Sequence, residues 1–197
     1  GYMCGRYFVD DGIGRELKNT FRSVDTSKFQ AKAGDVCPTD WAFILTGTKE
    51  ICLTQMRWGF RKKDQKDLLI NARVETVKEK PMFNESMRYN RCVIPASGFY
   101  EWNRIGEKAS FCPLRGKVLF MAGIWQKVED ENQFTILTTI PNASVAPVHD
   151  RMPLVLDRDE VPQWLMDWKQ AEELLTKRPA LLERRQEFEQ LSFGDML

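Results

Sequence analysis

Short runs of β-branched and aromatic residues, each stopped by a turn signal, dominate the chain from Tyr7 to Leu156. Side chains in such runs alternate between two faces, and no single run can bury its apolar face, so the runs must pair into sheets. Tyr7–Val9 is the first. Trp41–Thr46 and residues 51–58 follow, with Gly47-Thr48-Lys49-Glu50 as the turn of a hairpin. Residues 68–77 read as extended, and 92–102 as strand with Gly98 at a bulge or a close backbone approach. Residues 111–114 and 117–125 flank a turn at Arg115-Gly116, 134–140 stops at Pro141-Asn142, and 152–156 is a short strand. Helical patterning is sparser. Ile13, Leu17 and Phe21 share a face, a short helix is read over 85–89, and Trp164, Leu165 and Trp168 fit one helix face. Residues 171–175 and 180–191 continue helical with heavy charge. The prediction is an α+β fold, mainly antiparallel β, whose curved or bifurcated sheet forms a pseudo-barrel with peripheral helices.

At 197 residues the chain is read as a single domain over 4–197. Gly1-Tyr2-Met3 reads as a tag remnant or an unprocessed start and is left out of fold reasoning. No apolar run approaches the roughly 20 residues that span a bilayer, and the start carries no basic-then-apolar signal. A cytoplasmic protein without a membrane partner is expected, associated with the nucleoid if bacterial. The net charge of +1 gives no bulk argument for nucleic acid, so DNA binding would need a local set of arginines. Five scattered cysteines without a Cys-x-x-Cys pair argue against a disulfide framework and a zinc site. No metal and no cofactor is expected, and the chain is read as a monomer in a reducing compartment.

Four segments carry ionisable or polar residues beside apolar ones: Cys4-Gly5-Arg6-Tyr7, Asn71-Ala72-Arg73-Val74-Glu75-Thr76, Gly98-Phe99-Tyr100-Glu101-Trp102 and His149-Asp150-Arg151-Met152-Pro153. If Met3 were removed, Cys4 would carry an α-amine and a thiol on adjacent carbons. An α-amine has a pKa of about 7.7–8.0, so a useful fraction is free near neutrality to condense with an aldehyde, after which the thiol can close a thiazolidine ring. Against this, a generic cysteine is more often a small buried hydrophobe. Asn71 and Arg73 lie on one strand face, which could equally be a solvated edge. Glu101 between two aromatics most simply points outward; desolvated, its pKa would rise toward that of a general acid or base. His149 is the sole histidine, and such a residue is more often satisfied or exposed than catalytic. Trp58 and Trp102 are more often core than base-stacking platforms. The run Arg57, Arg61, Lys62, Lys63 is usually a solvated face, though it could track phosphates.

Taken in order, these four segments resemble the SRAP (SOS-response-associated peptidase) family, whose members attach covalently to abasic sites in single-stranded DNA. Cys4-Gly5-Arg6, Asn71 to Thr76, Gly98 to Trp102 and His149 to Pro153 match its motifs, and the resemblance covers roughly residues 4–168. Residues 36–39 and the charged stretch after Gly59 depart from the family's pattern. The resemblance implies a DNA-damage-response role with catalytic positions Cys4, Asn71, Glu101 and His149. It implies phosphate contacts from Arg6, Arg73 and Arg151, and base stacking on Trp58 or Trp102. The implied partner is single-stranded DNA containing abasic sites. The implied activities are self-removal of the preceding methionine, thiazolidine crosslinking and weak AP lyase chemistry. Two other classes stay open on the residues alone: a conventional cysteine hydrolase using Cys4 and His149, and a non-covalent single-strand binding module.

Overall fold

The hairpin at 41–58 forms because β-branched and aromatic residues flank a four-residue turn in which only glycine fits. A Cβ on Gly47 would lie 2.0 Å from the Glu50 carbonyl oxygen. The computed structural model describes residues 4–27, 33–61, 64 and 66–186. In chain order the elements are β1 (Tyr7–Val9), α1 (Ile13–Thr20), β2 (Gly34–Val36), β3 (Trp41–Thr46), β4 (Cys52–Trp58), β5 (Asn71–Arg73), α2 (Asn84–Tyr89), β6 (Arg91–Ala96) and β7 (Gly98–Trp102). They continue with β8 (Lys108–Pro113), β9 (Leu119–Val128), β10 (Glu131–Thr139), β11 (Met152–Pro153), β12 (Val155–Leu156), α3 (Glu160–Met166), α4 (Trp168–Leu174) and β13 (Leu182–Gln186).

Two sheets result. The first is antiparallel, in the order β13-β8-β7-β1-β2. The second runs β11-β10-β4-β3-β6-β9-β12, and the pairing of β9 with β10 joins five of its strands into a ring. The ring is thin where β3 meets β6 at the single pair Leu45↔Val93, so the sheet is a pseudo-barrel rather than a clean barrel. The expected antiparallel character holds for most pairs, but β10 runs parallel to both β4 and β5. β10 is buried from Gln133 to Thr139, as befits a strand covered on both faces.

One apolar cluster, with Tyr7, Trp58, Phe99, Phe111 and Phe134, contains strands of both sheets and Cys4. A second contains Leu17, Met87, Trp164 and Leu165 from the helices. Arg91 ties the helices to the ring sheet through backbone carbonyls. Its guanidinium donates to the carbonyls of Met87 and Arg88 at the end of α2 and of Trp164 in α3, at 2.6–3.0 Å.

Several elements differ from the sequence reading. Of residues 68–77, expected as extended, only Asn71–Arg73 is strand and 74–77 form turns. Residues 152–156 are two short strands, one paired with β10 and the other with β9. The 92–102 segment is two strands in different sheets, because Ser97 breaks between β6 and β7. The helix face expected across Trp164 and Trp168 is divided at Asp167, which is extended and caps α4 by accepting from the Gln170 amide at 2.9 Å. Residues 182–186, expected as helix, pair with β8 from Leu182↔Pro113 to Gln186↔Ala109. Charged residues have good helix propensity but also suit an exposed edge strand, and here the open edge of β8 decides. Residues 187–191 of that expected helix lie outside the described residues. No helix among the described residues is long and apolar enough to cross a membrane.

Gly98 confirms the close approach read from the sequence: a Cβ there would meet Phe8 Cζ at 2.5 Å and the Phe111 carbonyl oxygen at 2.6 Å. Gly98→Ala is therefore expected to cost about 1–3 kcal/mol, since the backbone carbonyl cannot step aside. Urea unfolding would measure it, with a drop in midpoint at unchanged slope.

Candidate functional site

β7 places the first of the site residues by simple alternation. Phe99 and Glu101 point between the sheets, while Tyr100 and Trp102 point to the other face, half-buried. The outward orientation most simply expected for Glu101 is thus corrected: its side chain is 3% exposed. β1 pairs with β7 through Tyr7↔Phe99 and Phe8↔Gly98, and the Tyr100 amide donates to the Arg6 carbonyl at 3.0 Å. This antiparallel register carries the chain before Tyr7 straight toward Glu101. The Cys4 amide nitrogen donates to Glu101 Oε1 at 2.5 Å. Because Met3 precedes Cys4 in the chain, this nitrogen is a peptide N–H standing where a free α-amine would be.

His149 arrives from the other sheet, on the connector between β10 and β11. Its backbone amide closes a turn on the Val145 carbonyl, and Asn142 anchors the connector by donating to the Pro179 and Ala180 carbonyls. His149 Nε2 stands 3.8 Å from Glu101 Oε2, too long for a hydrogen bond but close enough to share one. On the opposite edge of the ring, Nδ1 accepts the Arg151 backbone N–H at 3.1 Å. A nitrogen that accepts carries no proton, so the neutral ring holds its proton on Nε2, facing Glu101.

Burial sets the electrostatics. Desolvation pushes the Glu101 carboxyl up to about 7; hydrogen bonds from the backbone of Cys4 and Trp102 pull it down by less, and Asp150 adds to the rise. Burial, and then the Glu101 charge, raise the Cys4 thiol well above its ordinary value. Cys4 is also held at φ 44, a left-handed conformation that costs a residue with a Cβ about 1–3 kcal/mol.

The remaining predicted residues divide. Asn71 sits on β5 beside β10, with its amide 3.5 Å from the Ile136 carbonyl. Arg73 is exposed, 3.8 Å from Glu75. Arg6 is half exposed, 3.8 Å from Asp35 and 5.5 Å from the Trp102 ring centre. Trp102 and His149 line one cleft of about 1020 Å³ with Asn103, Arg104 and Asp150. Two of the predicted residues are engaged inside the protein. Trp58 is fully buried, stacked on Phe134 and donating Nε1–H to the Ile70 carbonyl, so it offers no face to a base. Arg151 is 4% exposed and its guanidinium forks onto both Glu75 oxygens at 2.8 Å, with a further donation to the Thr138 carbonyl, leaving no free fork for phosphate. Glu75, which sequence reasoning passed over, is held below the usual carboxylate range by that fork. Of the run read as a solvated face that could track phosphates, Arg57 is engaged with Thr39 and Glu131, Arg61 is exposed, and Lys62 and Lys63 lie outside the described residues. No cluster of metal-binding side chains occurs among the described residues.

The profile of the SOS response associated peptidase (SRAP) family matches residues 3–192. The chain belongs to the SRAP family. Among its relatives, the abasic site processing protein YoqW of Bacillus subtilis is 39% identical over 182 residues, covering 83% of this chain and 80% of that one. YoaM of the same organism, also called an abasic site processing protein, is 38% identical over 127 residues, covering 57% of this chain and 56% of its own. The chain thus spans little more than half of YoaM and four-fifths of YoqW. A crystal structure of a Bacteroides thetaiotaomicron protein superposes with a TM-score of 0.79 at 20% identity, over 93% of this chain and 91% of that one, which establishes a shared fold. The SRAP motifs at Cys4, Glu101 and His149 are the ones that converge here.

A carboxyl raised to about 7 opposes folding once ionised. With the folded pKa above the unfolded one, its contribution is full below about 4.3 and is lost as pH rises through 7, by up to about 3 kcal/mol. Glu101→Gln is therefore expected to be more stable than the parent at pH 8 and near it at pH 5, as read by urea unfolding at the two pH values.

Proposed function

We propose that this SRAP protein processes abasic sites in single-stranded DNA, by covalent capture through Cys4 once the residues before it are removed. The observation that carries the reading is the contact between the Cys4 nitrogen and Glu101 Oε1 at 2.5 Å, with His149 across the same carboxylate. The names of the relatives supply the substrate class.

In the processed chain the nitrogen becomes an α-amine. Glu101 accepts a proton from it, leaving the lone pair free to attack the C1′ aldehyde of the opened sugar. Loss of water gives a Schiff base. The Cys4 thiol then adds to the imine carbon, its proton passing to the nitrogen, and a thiazolidine closes. One carbonyl oxygen leaves as water and no redox partner is needed. Glu101 Oε2 and His149 Nε2, 3.8 Å apart, can both reach one sugar hydroxyl about 2.8 Å from each, the geometry for opening the ring. Asn71 would orient the adduct, Arg6 and Arg73 would hold flanking phosphates, and Trp102 would stack on a base. The peptidase step is hydrolysis of the Met3–Cys4 bond with the same three residues, consuming one water.

The raised thiol pKa favours this order over a hydrolase in which Cys4 attacks as a resting thiolate. It also matters that Glu101 contacts the nitrogen of Cys4, the atom a thiolate mechanism would not use. The test incubates abasic single-stranded DNA with protein beginning at Cys4 and with the same protein N-acetylated at Cys4, whose amide nitrogen cannot form a Schiff base. The N-acetylated form is the untrimmed mimic. A slow band on a denaturing gel with the trimmed form alone is expected; no band with trimmed, reduced protein would sink the proposal. Glu101→Gln should slow band formation by about 10²–10⁴-fold, the usual worth of proton transfer, at unchanged DNA affinity.

A further inference from the structure

Arg151 is expected to bind phosphate when the sequence is read alone, yet in the fold it is a buried cation with every strong contact spent inside the protein. Its fork takes both Glu75 oxygens at 2.8 Å, and Nη2 also reaches the Thr138 carbonyl at 2.8 Å. That carbonyl accepts the Val74 amide as well, at 3.0 Å. Three segments are thereby pinned at one point: the turn after β5, the end of β10, and the residue entering β11. The same Arg151 presents its backbone N–H to His149 Nδ1 at 3.1 Å.

We infer that Glu75 and Arg151 are positioning residues: their bidentate pair clamps the backbone N–H that keeps His149 Nδ1 deprotonated and turns Nε2–H toward Glu101. The clamp matters because Nδ1 has a competitor. Asp150 Oδ1 lies 3.3 Å from it and would draw a proton onto Nδ1. Asp150 is 90% exposed, so water screens its pull and its side chain is free to turn away, whereas the Arg151 N–H is fixed by a buried anchor. While the anchor holds, the acceptor state of Nδ1 prevails. Without it, the 149–151 backbone can turn and Asp150 becomes the better partner, which moves the proton from Nε2 to Nδ1 and removes the donor facing Glu101. Arg73, 3.8 Å from Glu75 and exposed, leaves the clamp intact if it turns to a phosphate, because Arg151 already holds both oxygens of Glu75.

This inference rests on the proposed use of His149 for its catalytic consequence, but its structural half can be tested without DNA. His149 is the only histidine, so the imidazole nitrogens give one uniquely assigned pair of signals in ¹⁵N-detected NMR. In protein starting at Cys4, the Nε2–H tautomer is expected to dominate at pH 8. Glu75→Gln, which keeps the shape and removes the charge, should populate Nδ1–H substantially. It should slow crosslinking at saturating DNA by about tenfold or more, with affinity for the abasic strand changed less than twofold. Should the stranded Arg151 charge prevent folding, the double substitution E75Q/R151M removes it and is expected to show the same tautomer change. An unchanged tautomer in a folded variant would overturn the clamp. So would a loss appearing wholly in DNA affinity, which would return Arg151 to phosphate binding. Failure of the parent protein to crosslink would count against the proposed function alone, since the tautomer measurement stands apart from it.

Discussion

A carboxylate buried between two sheets needs a donor, and the nitrogen of Cys4 is the donor that Glu101 receives. Much of the site follows from this one contact. It fixes where the chain enters β1, because the register with β7 leads directly to it. It accounts for Cys4 being buried and held in a left-handed conformation, since a residue tied at its nitrogen and followed at once by a paired strand has little freedom left. It also sets the balance at Glu101, where desolvation outweighs the hydrogen bonds that favour the anion.

The contact would have different electrostatics if the residues before Cys4 were removed, as proposed. A peptide N–H is a neutral donor, and a carboxyl near 7 beside it is half ionised at neutrality. An α-amine in the same place is itself a titrating group with a reference value of about 7.7–8.0. Two groups so close exchange one proton between them and titrate as a pair. His149 stands on the far side of the same carboxylate, 3.8 Å from it.

Burial that tunes Glu101 also isolates it, and the surrounding polar groups act at one remove. Glu75 and Arg151 lie in the two segments whose backbones carry Asn71 and His149, and they meet through a fork rather than through the substrate. Their pairing gives a physical reason for the two segments to keep both charges. The exposed arginines, Arg6 and Arg73, are only weakly paired, each 3.8 Å from a carboxylate.

The strands and the four motif segments were legible because they are local. Alternation, turn residues and charge are properties of neighbouring positions: Tyr7–Val9 and the 41–58 hairpin stand where those signals lie, and the strand read over 134–140 is Glu131–Thr139. The motif residues Cys4, Asn71, Glu101 and His149 stand out only through the resemblance of the four segments, in order, to the SRAP family. What order could not supply was orientation and pairing. Whether Glu101 faced in or out depended on which face of β7 met the second sheet, and whether Arg151 was free depended on Glu75, 76 residues away. The same holds for 182–186, whose composition suits a helix but which the unpaired edge of β8 makes a strand. Chemistry resides in residue types and was determined by the sequence; pKa, tautomer and partner are set by burial and contacts between distant segments, and only the tertiary structure decided them.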